Sequence, residues 1–277
     1  MKRFAGVGVR AGAHTGRGRK ITGRGPAAGG GKPDWESPLV TSGLTSPAGA
    51  TSLPDIRVPR PVARLLEGTP STPSSARCGY ERAKRVMDVV GASVLLLLLA
   101  PLMLVVTVAI KVTSRGPVLF CHKRIGLGGV PFTCRKFRTM AVDAEQRLQS
   151  DARLHQAFLA SYKIKNDPRV TPLGRLLRRF SIDELPQLLN VLGGSMSLIG
   201  PRPLIGPELA AYGANVAKLC TVKPGLGGLW QVCGRSNTSL SERVALDLLY
   251  VDHCSLSLDL RLVGMTAVAV LHGIGAC

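Results

Sequence analysis

Two adjacent carboxylates, Asp183 and Glu184, follow an arginine pair, Arg178 and Arg179, and precede Arg202, which stands between Pro201 and Pro203. An ionised carboxylate can serve as a nucleophile or hold a metal ion. Arginine forks onto phosphate oxygens, and the flanking prolines restrain the backbone that carries Arg202. Together these residues point to a site that handles a phosphorylated, metal-bound substrate. Taken alone, the acid pair has a plainer reading. Ser181 and Glu184 have the spacing of a capping box, and carboxylates are stabilised at helix N-termini by the dipole. Pro186 fits that box poorly, because five residues past the cap it removes a hydrogen bond, whereas as the first helical residue it costs little. In either register both acids lie at the positive end of a helix running through Leu192, where Asp183 is expected to stay ionised at neutral pH. The arginines around the pair raise the chemical reading above the capping one.

Several elements must position these residues. Thr171 is a good N-cap and Pro172 a good first residue for a short helix. Leu173, Leu176, Leu177 and Phe180 make its apolar side, with Arg175, Arg178 and Arg179 opposite, the pattern of a helix lying in a membrane interface. Upstream, Val118 to Phe120 and Pro131 to Met140 read as extended segments about a glycine-rich turn, Gly126 to Gly129. Alternation puts Lys136 and Arg138 on one face and Arg135 with Phe137 on the other, so that one cationic pair could meet a phosphate. Val142 to Tyr162 reads as one amphipathic helix. Leu240 to His253 and Leu256 to Leu271 read as two more; the apolar stretch Leu262 to Leu271 is too short to cross a bilayer.

The largest apolar feature lies earlier. From Val89 to Ile110 no residue is charged, and as a helix this run would be about 33 Å long, enough to cross a hydrocarbon core of about 30 Å. Pro101 falls in its middle and removes a helical hydrogen bond. Both flanks are basic, with Arg82, Lys84 and Arg85 before and Lys111 and Arg115 after. Basic flanks mark the cytoplasmic side, so two such ends suggest a segment that dips in and returns. On the residues alone, re-entry and spanning stand level.

Composition narrows the class. The 277 residues carry 36 Lys and Arg against 17 Asp and Glu, a formal charge of +19, which favours anionic partners such as acidic lipid or phosphorylated substrates. Aromatics make up only 4%, too few for stacking platforms, and nucleic-acid motifs are absent, so nucleic acid is not the expected partner. Seven dispersed cysteines suggest reduced thiols, and neither they nor the five histidines have zinc spacing. Residues 1–76, rich in Gly, Pro, Ser and Thr with 11 basic and 4 acidic residues, are expected to be a disordered basic tail. The expected plan is thus a tail over 1–76, an anchor over 77–115 and a catalytic domain over 116–277. No feature speaks to oligomeric state.

From about Tyr80 onward the chain resembles the bacterial sugar transferase family, the monotopic polyprenyl-phosphate phosphoglycosyl transferases. The resemblance rests on Lys84 to Asp88 before the proline-broken apolar helix, Arg135 to Met140, Ser181 to Asn190, Ser197 to Pro203, Lys223 to Gln231, and Cys233 to Arg235. The closing stretch from Ser241 to Arg261 is similar to members that start exopolysaccharide assembly with a hexose 1-phosphate. Three positions depart from the family pattern: Ala100 where serine is common, Lys223 where arginine is usual, and Gly227 where threonine or serine is frequent.

The resemblance implies a mainly helical α+β fold. A re-entrant helix-break-helix anchor, with Pro101 at the break, would be joined by interfacial helices and a small β element. It implies transfer of a sugar 1-phosphate from a UDP-sugar to undecaprenyl phosphate at the cytoplasmic face of the inner membrane, with release of UMP. Asp183 would be the nucleophile and Glu184 the Mg²⁺ ligand. Lys136, Arg178, Arg202 and Arg235 would be the phosphate-binding cations. Asp88 is expected to anchor the helix base, and Trp230 to pack near the interface. The competing reading is a membrane-attached basic scaffold without catalysis, which accounts for the anchor and the arginines but not for the acid pair.

Overall fold

A computed structural model describes residues 74–161, 164, 166–233 and 239–271. The expected tail falls almost wholly outside them, as does Arg235.

Helix α1, Ser74–Thr113, runs through Pro101 as one helix. A tight hairpin follows, β1 (Leu119–Ile125) and β2 (Pro131–Phe137), paired antiparallel from Leu119 opposite Phe137 to Ile125 opposite Pro131. The expected single helix after it is two helices, α2 (Ala144–Ser150) and α3 (Ala152–Ser161). The break has a local cause. Asp151 is extended, and its carboxylate accepts from the backbone N–H groups of Arg153 and Leu154 at 2.9 and 3.2 Å, so it caps a new helix instead of continuing the old one.

Helix α4 spans Pro172–Arg179 with Thr171 as its cap, the Thr171 hydroxyl accepting from Gly174 N at 2.9 Å. A 3₁₀ turn, Ile182–Gln187, leads into α5 (Leu188–Leu192). Then come β3 (Ser197–Ile199), a 3₁₀ segment over Gly206–Asn215, α6 (Val216–Leu219), β4 (Gly225–Gly227) and α7 (Leu229–Val232). Strands β3 and β4 pair in parallel. Helices α8 (Leu240–His253) and α9 (Leu256–Leu271) close the described chain. Cys121, Cys134, Cys220 and Cys233 carry free thiols.

Two apolar clusters hang this body along one side of α1. Ala92, with Leu95 and Leu96 beside it, packs among Leu188, Val191, Met196, Leu198, Leu229, Leu258 and Leu262. Further along, Met103, Val106 and Ile110 pack with Phe137, Leu173, Leu177, Ile182 and Leu185. The opposite side of α1 is bare: Leu97, Leu98, Leu104, Val105 and Val112 each expose well over half their surface. Apolar exposure on that scale marks a surface that meets lipid or another apolar partner.

Polar contacts lock both ends of α1 to the same body. Near its start, Lys84 pairs with buried Asp259 at 2.7 Å, and the Arg85 guanidinium donates to the carbonyls of Val191 and Leu192, closing the end of α5. Asp88 accepts from Ser197 Oγ and Leu198 N at 2.9 and 2.8 Å, which is the anchoring role expected of it. Past its end, buried Arg138 donates to the carbonyls of Ser114 and Arg115. The expected pairing of Lys136 with Arg138 at a phosphate therefore fails, because Arg138 is spent on closing α1.

The start of α4 presses directly on β2's continuation. A Cβ built on Gly174 would run into the Thr139 carbonyl oxygen, to which Thr171 N is bonded at 3.0 Å. Because that neighbour is backbone, it has little room to give. Gly174→Ala is expected to destabilise the fold by about 3 kcal/mol, read as a lowered thermal midpoint and reduced activity at 37 °C.

Candidate functional site

The acid pair lies on the 3₁₀ turn between α4 and α5. Ser181, which begins the turn, is in the left-handed region at φ 55° and makes no side-chain cap. The expected capping box is therefore absent: Glu184 does not turn back to the Ser181 N–H but takes the Lys136 ammonium on Oε1. A left-handed non-glycine residue costs of order 1 kcal/mol or more. Here it reverses the chain so that the end of α4, held by the Ser181 N to Arg178 O bond at 3.1 Å, delivers the two acids onto β2. Ile182 and Leu185 turn inward against α1, leaving Asp183 and Glu184 half-buried beside Lys136.

Asn190, on α5, sets the register between turn and strand. Its Nδ2 donates to Thr133 O at 2.7 Å, and its Oδ1 accepts from Arg135 N at 3.1 Å. One amide thus holds the strand on both sides of Cys134 and sets where Lys136 emerges. Arg178 is steadied by a bond from Nε to Thr139 Oγ1 at 2.9 Å.

Electrostatics separate the two acids. Burial, then the neighbouring Glu184 charge, pushes Asp183 up to about 6, against the pull of Lys136 and Arg178. Glu184 goes the other way. Although burial opposes ionisation, Lys136, by charge and hydrogen bond, together with Arg202 and Arg124, holds it below the ordinary glutamate value. The helix-end dipole is thus not what decides the state of Asp183; it is ionised at pH 7 by a narrow margin. A reaction that needs this carboxylate ionised should slow as pH drops, with a limb whose midpoint lies at about 6. A rate flat from pH 5 to 8 would contradict this.

Lys136, Arg178, Asp183, Glu184 and Arg202 are therefore gathered at one place; Arg235 lies outside the described residues. Arg124 on β1 and Asn190 belong to the same neighbourhood and were not picked out from the sequence. Arg124 had only alternation to mark it, and Asn190 stands as an ordinary polar residue in an apolar helix. Trp230 is buried, with the guanidinium carbons of Arg202 and Arg243 at 5.2 and 5.0 Å from its ring centre.

Among the described residues no cluster of three or more His, Cys, Asp or Glu exists that could cage a metal. Two adjacent carboxylates nevertheless suit Mg²⁺, which keeps several waters and is commonly held by one or two carboxylates plus substrate phosphates. Glu184, whose carboxyl Lys136 holds below the ordinary glutamate value, is the better of the two for that.

A profile described as Bacterial sugar transferase matches residues 79–273. The exopolysaccharide production protein ExoY of Rhizobium meliloti is 44% identical over 192 residues, covering 68% of this chain and 85% of its own. A UDP-glucose:undecaprenyl-phosphate glucose-1-phosphate transferase of Caulobacter vibrioides is 41% identical over 219 residues, covering 76% of this chain and 78% of its own. An undecaprenyl-phosphate galactose phosphotransferase of Salmonella typhimurium is 40% identical over 198 residues, and there the match spans only 41% of the relative's length.

Proposed function

This chain belongs to the bacterial sugar transferase family, and we propose that it transfers a sugar 1-phosphate from a UDP-sugar to undecaprenyl phosphate, releasing UMP, as the first membrane step of exopolysaccharide synthesis. The observation that carries the reading is the acid pair itself: Asp183 and Glu184 on one turn, with the Lys136 ammonium bonded to Glu184.

In this mechanism an Asp183 oxygen attacks the phosphorus that bears the sugar. The bond from that phosphorus to the bridging oxygen breaks, and UMP leaves with the electron pair. The polyprenyl phosphate oxygen then attacks the same phosphorus and frees the Asp183 carboxylate. Two anionic reactants repel each other, and dividing the reaction lets each meet the site separately. Lys136, Arg178 and Arg202 offset charge on the transferred group. Mg²⁺ held at Glu184 would supply further charge neutralisation on the diphosphate.

The anchor is proposed to be re-entrant, with the catalytic body on the cytoplasmic face of the inner membrane. Asp88 and Ser114, at opposite ends of the apolar run, both bond to the same body. A simple span would put these ends on opposite sides, about 39 Å apart along the helix, and would draw the body's polar surface into lipid. Protease cleavage, in intact cells, of a tag at residue 1 from outside would count against re-entry.

The test of the reaction is UMP release from membranes given a panel of UDP-sugars, with and without Mg²⁺. Release with one or a few sugars, lost on chelation, is expected. No release with any sugar would favour a non-catalytic scaffold.

A further inference from the structure

Between β1, the Pro201–Pro203 segment, α7 and α8 lies a cluster of cations that the proposed reaction does not fully use. Arg202 and Arg243 lie against the ring of Trp230, and Arg124 reaches the same segment, donating to Pro203 O at 3.0 Å. The Nε atoms of all three arginines and the indole Nε1 of Trp230 are buried with no hydrogen-bond partner among the described residues. Four orphaned donors in one neighbourhood are costly, since an unpaired buried polar group forfeits its hydration.

Charge tells the same story. Among the described residues no carboxylate forms a salt bridge with Arg202 or Arg243. Glu208 approaches Arg124 at a loose 3.6 Å. Asp247 is buried, is pushed up to about 7 by that burial, and accepts from the Tyr212 hydroxyl at 2.7 Å. After burial, the Arg202 charge is the foremost cause holding Arg124 and Arg243 below the ordinary arginine value. Guanidiniums crowded this way, with donors left open, are arranged for an anion that satisfies them.

We propose that Arg124, Arg202, Arg243 and Trp230 form a phosphate-binding subsite alongside the Asp183–Glu184 pair, in which Arg243 and the Trp230 indole N–H contact a phosphoryl group other than the one transferred. Arg124 and Arg202 both act on Glu184, so the subsite borders the reacting centre. Its ligand is a phosphate monoester or diphosphate oxygen. Under the reaction proposed above, on which only the source of that phosphate rests, it comes from the nucleotide or from the lipid acceptor.

The test uses the full chain in detergent with EDTA present, so that no metal at Glu184 contributes. Calorimetric titration with inorganic pyrophosphate should show Arg243→Gln binding about tenfold or more weaker than wild type, with Arg243→Lys in between. UMP and a short-chain polyprenyl phosphate then separate the sources. Loss confined to UMP assigns the subsite to the nucleotide, and loss confined to the lipid phosphate assigns it to the acceptor. A folded Arg243→Gln protein that binds all three probes within twofold of wild type overturns the subsite and leaves Arg243 as packing for Trp230. If that variant does not fold, Arg243→Lys decides, with at least threefold weaker pyrophosphate binding expected and unchanged affinity overturning it. Wild-type protein that binds no pyrophosphate also overturns it. Pyrophosphate binding through Arg243 in a protein that releases UMP from no UDP-sugar would sink the reaction but leave the subsite standing.

Discussion

Asp183→Asn is expected to lower transfer by at least about 10³-fold, with membrane association unchanged. The substitution keeps the shape of the side chain but removes the oxygen nucleophile. Stability should move the opposite way. A carboxylate whose folded value is raised to about 6 from 3.8 binds more protons folded than unfolded between those values. Wild-type stability therefore falls as pH rises through that window, because Asp183 must ionise in a place that resists charge. Asparagine has no such cost. The variant should melt higher than wild type at pH 7, and the difference should shrink below about pH 4. Inactivity joined to a raised melting point separates loss of a nucleophile from loss of fold. A variant that keeps a tenth of wild-type transfer would remove Asp183 from the mechanism.

Asp259→Ala should have the largest effect on stability, about 3–5 kcal/mol. Asp259 is fully buried. It accepts from Lys84 at 2.7 Å, from the Tyr80 hydroxyl at 2.8 Å and from the Tyr250 hydroxyl at 2.6 Å. Deleting the carboxylate strands one ammonium and two hydroxyls at the joint between α1, α8 and α9. Because this joint seats the start of the anchor helix, the catalytic body should loosen from α1, seen as faster proteolysis near residue 255 and a lower yield of folded protein. An Asp259→Ala protein with a melting midpoint within 2 °C of wild type, an allowance of about 1 kcal/mol at this size, would show the network to be dispensable.

What could be read from the sequence follows the range of the interactions involved. The hairpin was legible because alternation and a glycine turn are local. So was α4, since Thr171 and Pro172 announce its start, and so were α8 and α9. The division between α2 and α3 was missed because it depends on one aspartate side chain choosing the backbone over solvent. The acid pair is legible in the sequence, but its local geometry is not. Ser181 and Glu184 have capping-box spacing, and only the long-range arrival of Lys136 from β2 takes Glu184 away from that role. Alternation likewise leaves open whether Arg138 meets a phosphate, and the carbonyls just past α1 claim it. Asn190 and Arg243 lie in stretches that carry the family resemblance and Arg124 on a strand, but none has a site role until the fold brings its partners beside it.

The nucleophilic role of Asp183 is tested by giving the purified protein a UDP-sugar labelled at the phosphorus bearing the sugar, with Mg²⁺ and without polyprenyl phosphate. UMP release is expected in an amount limited by the enzyme, with label retained on the protein at Asp183 and none on Asp183→Asn. Addition of polyprenyl phosphate should then discharge the label into lipid. UMP release that appears only when both substrates are present, with no label on the protein at any time, would contradict that role.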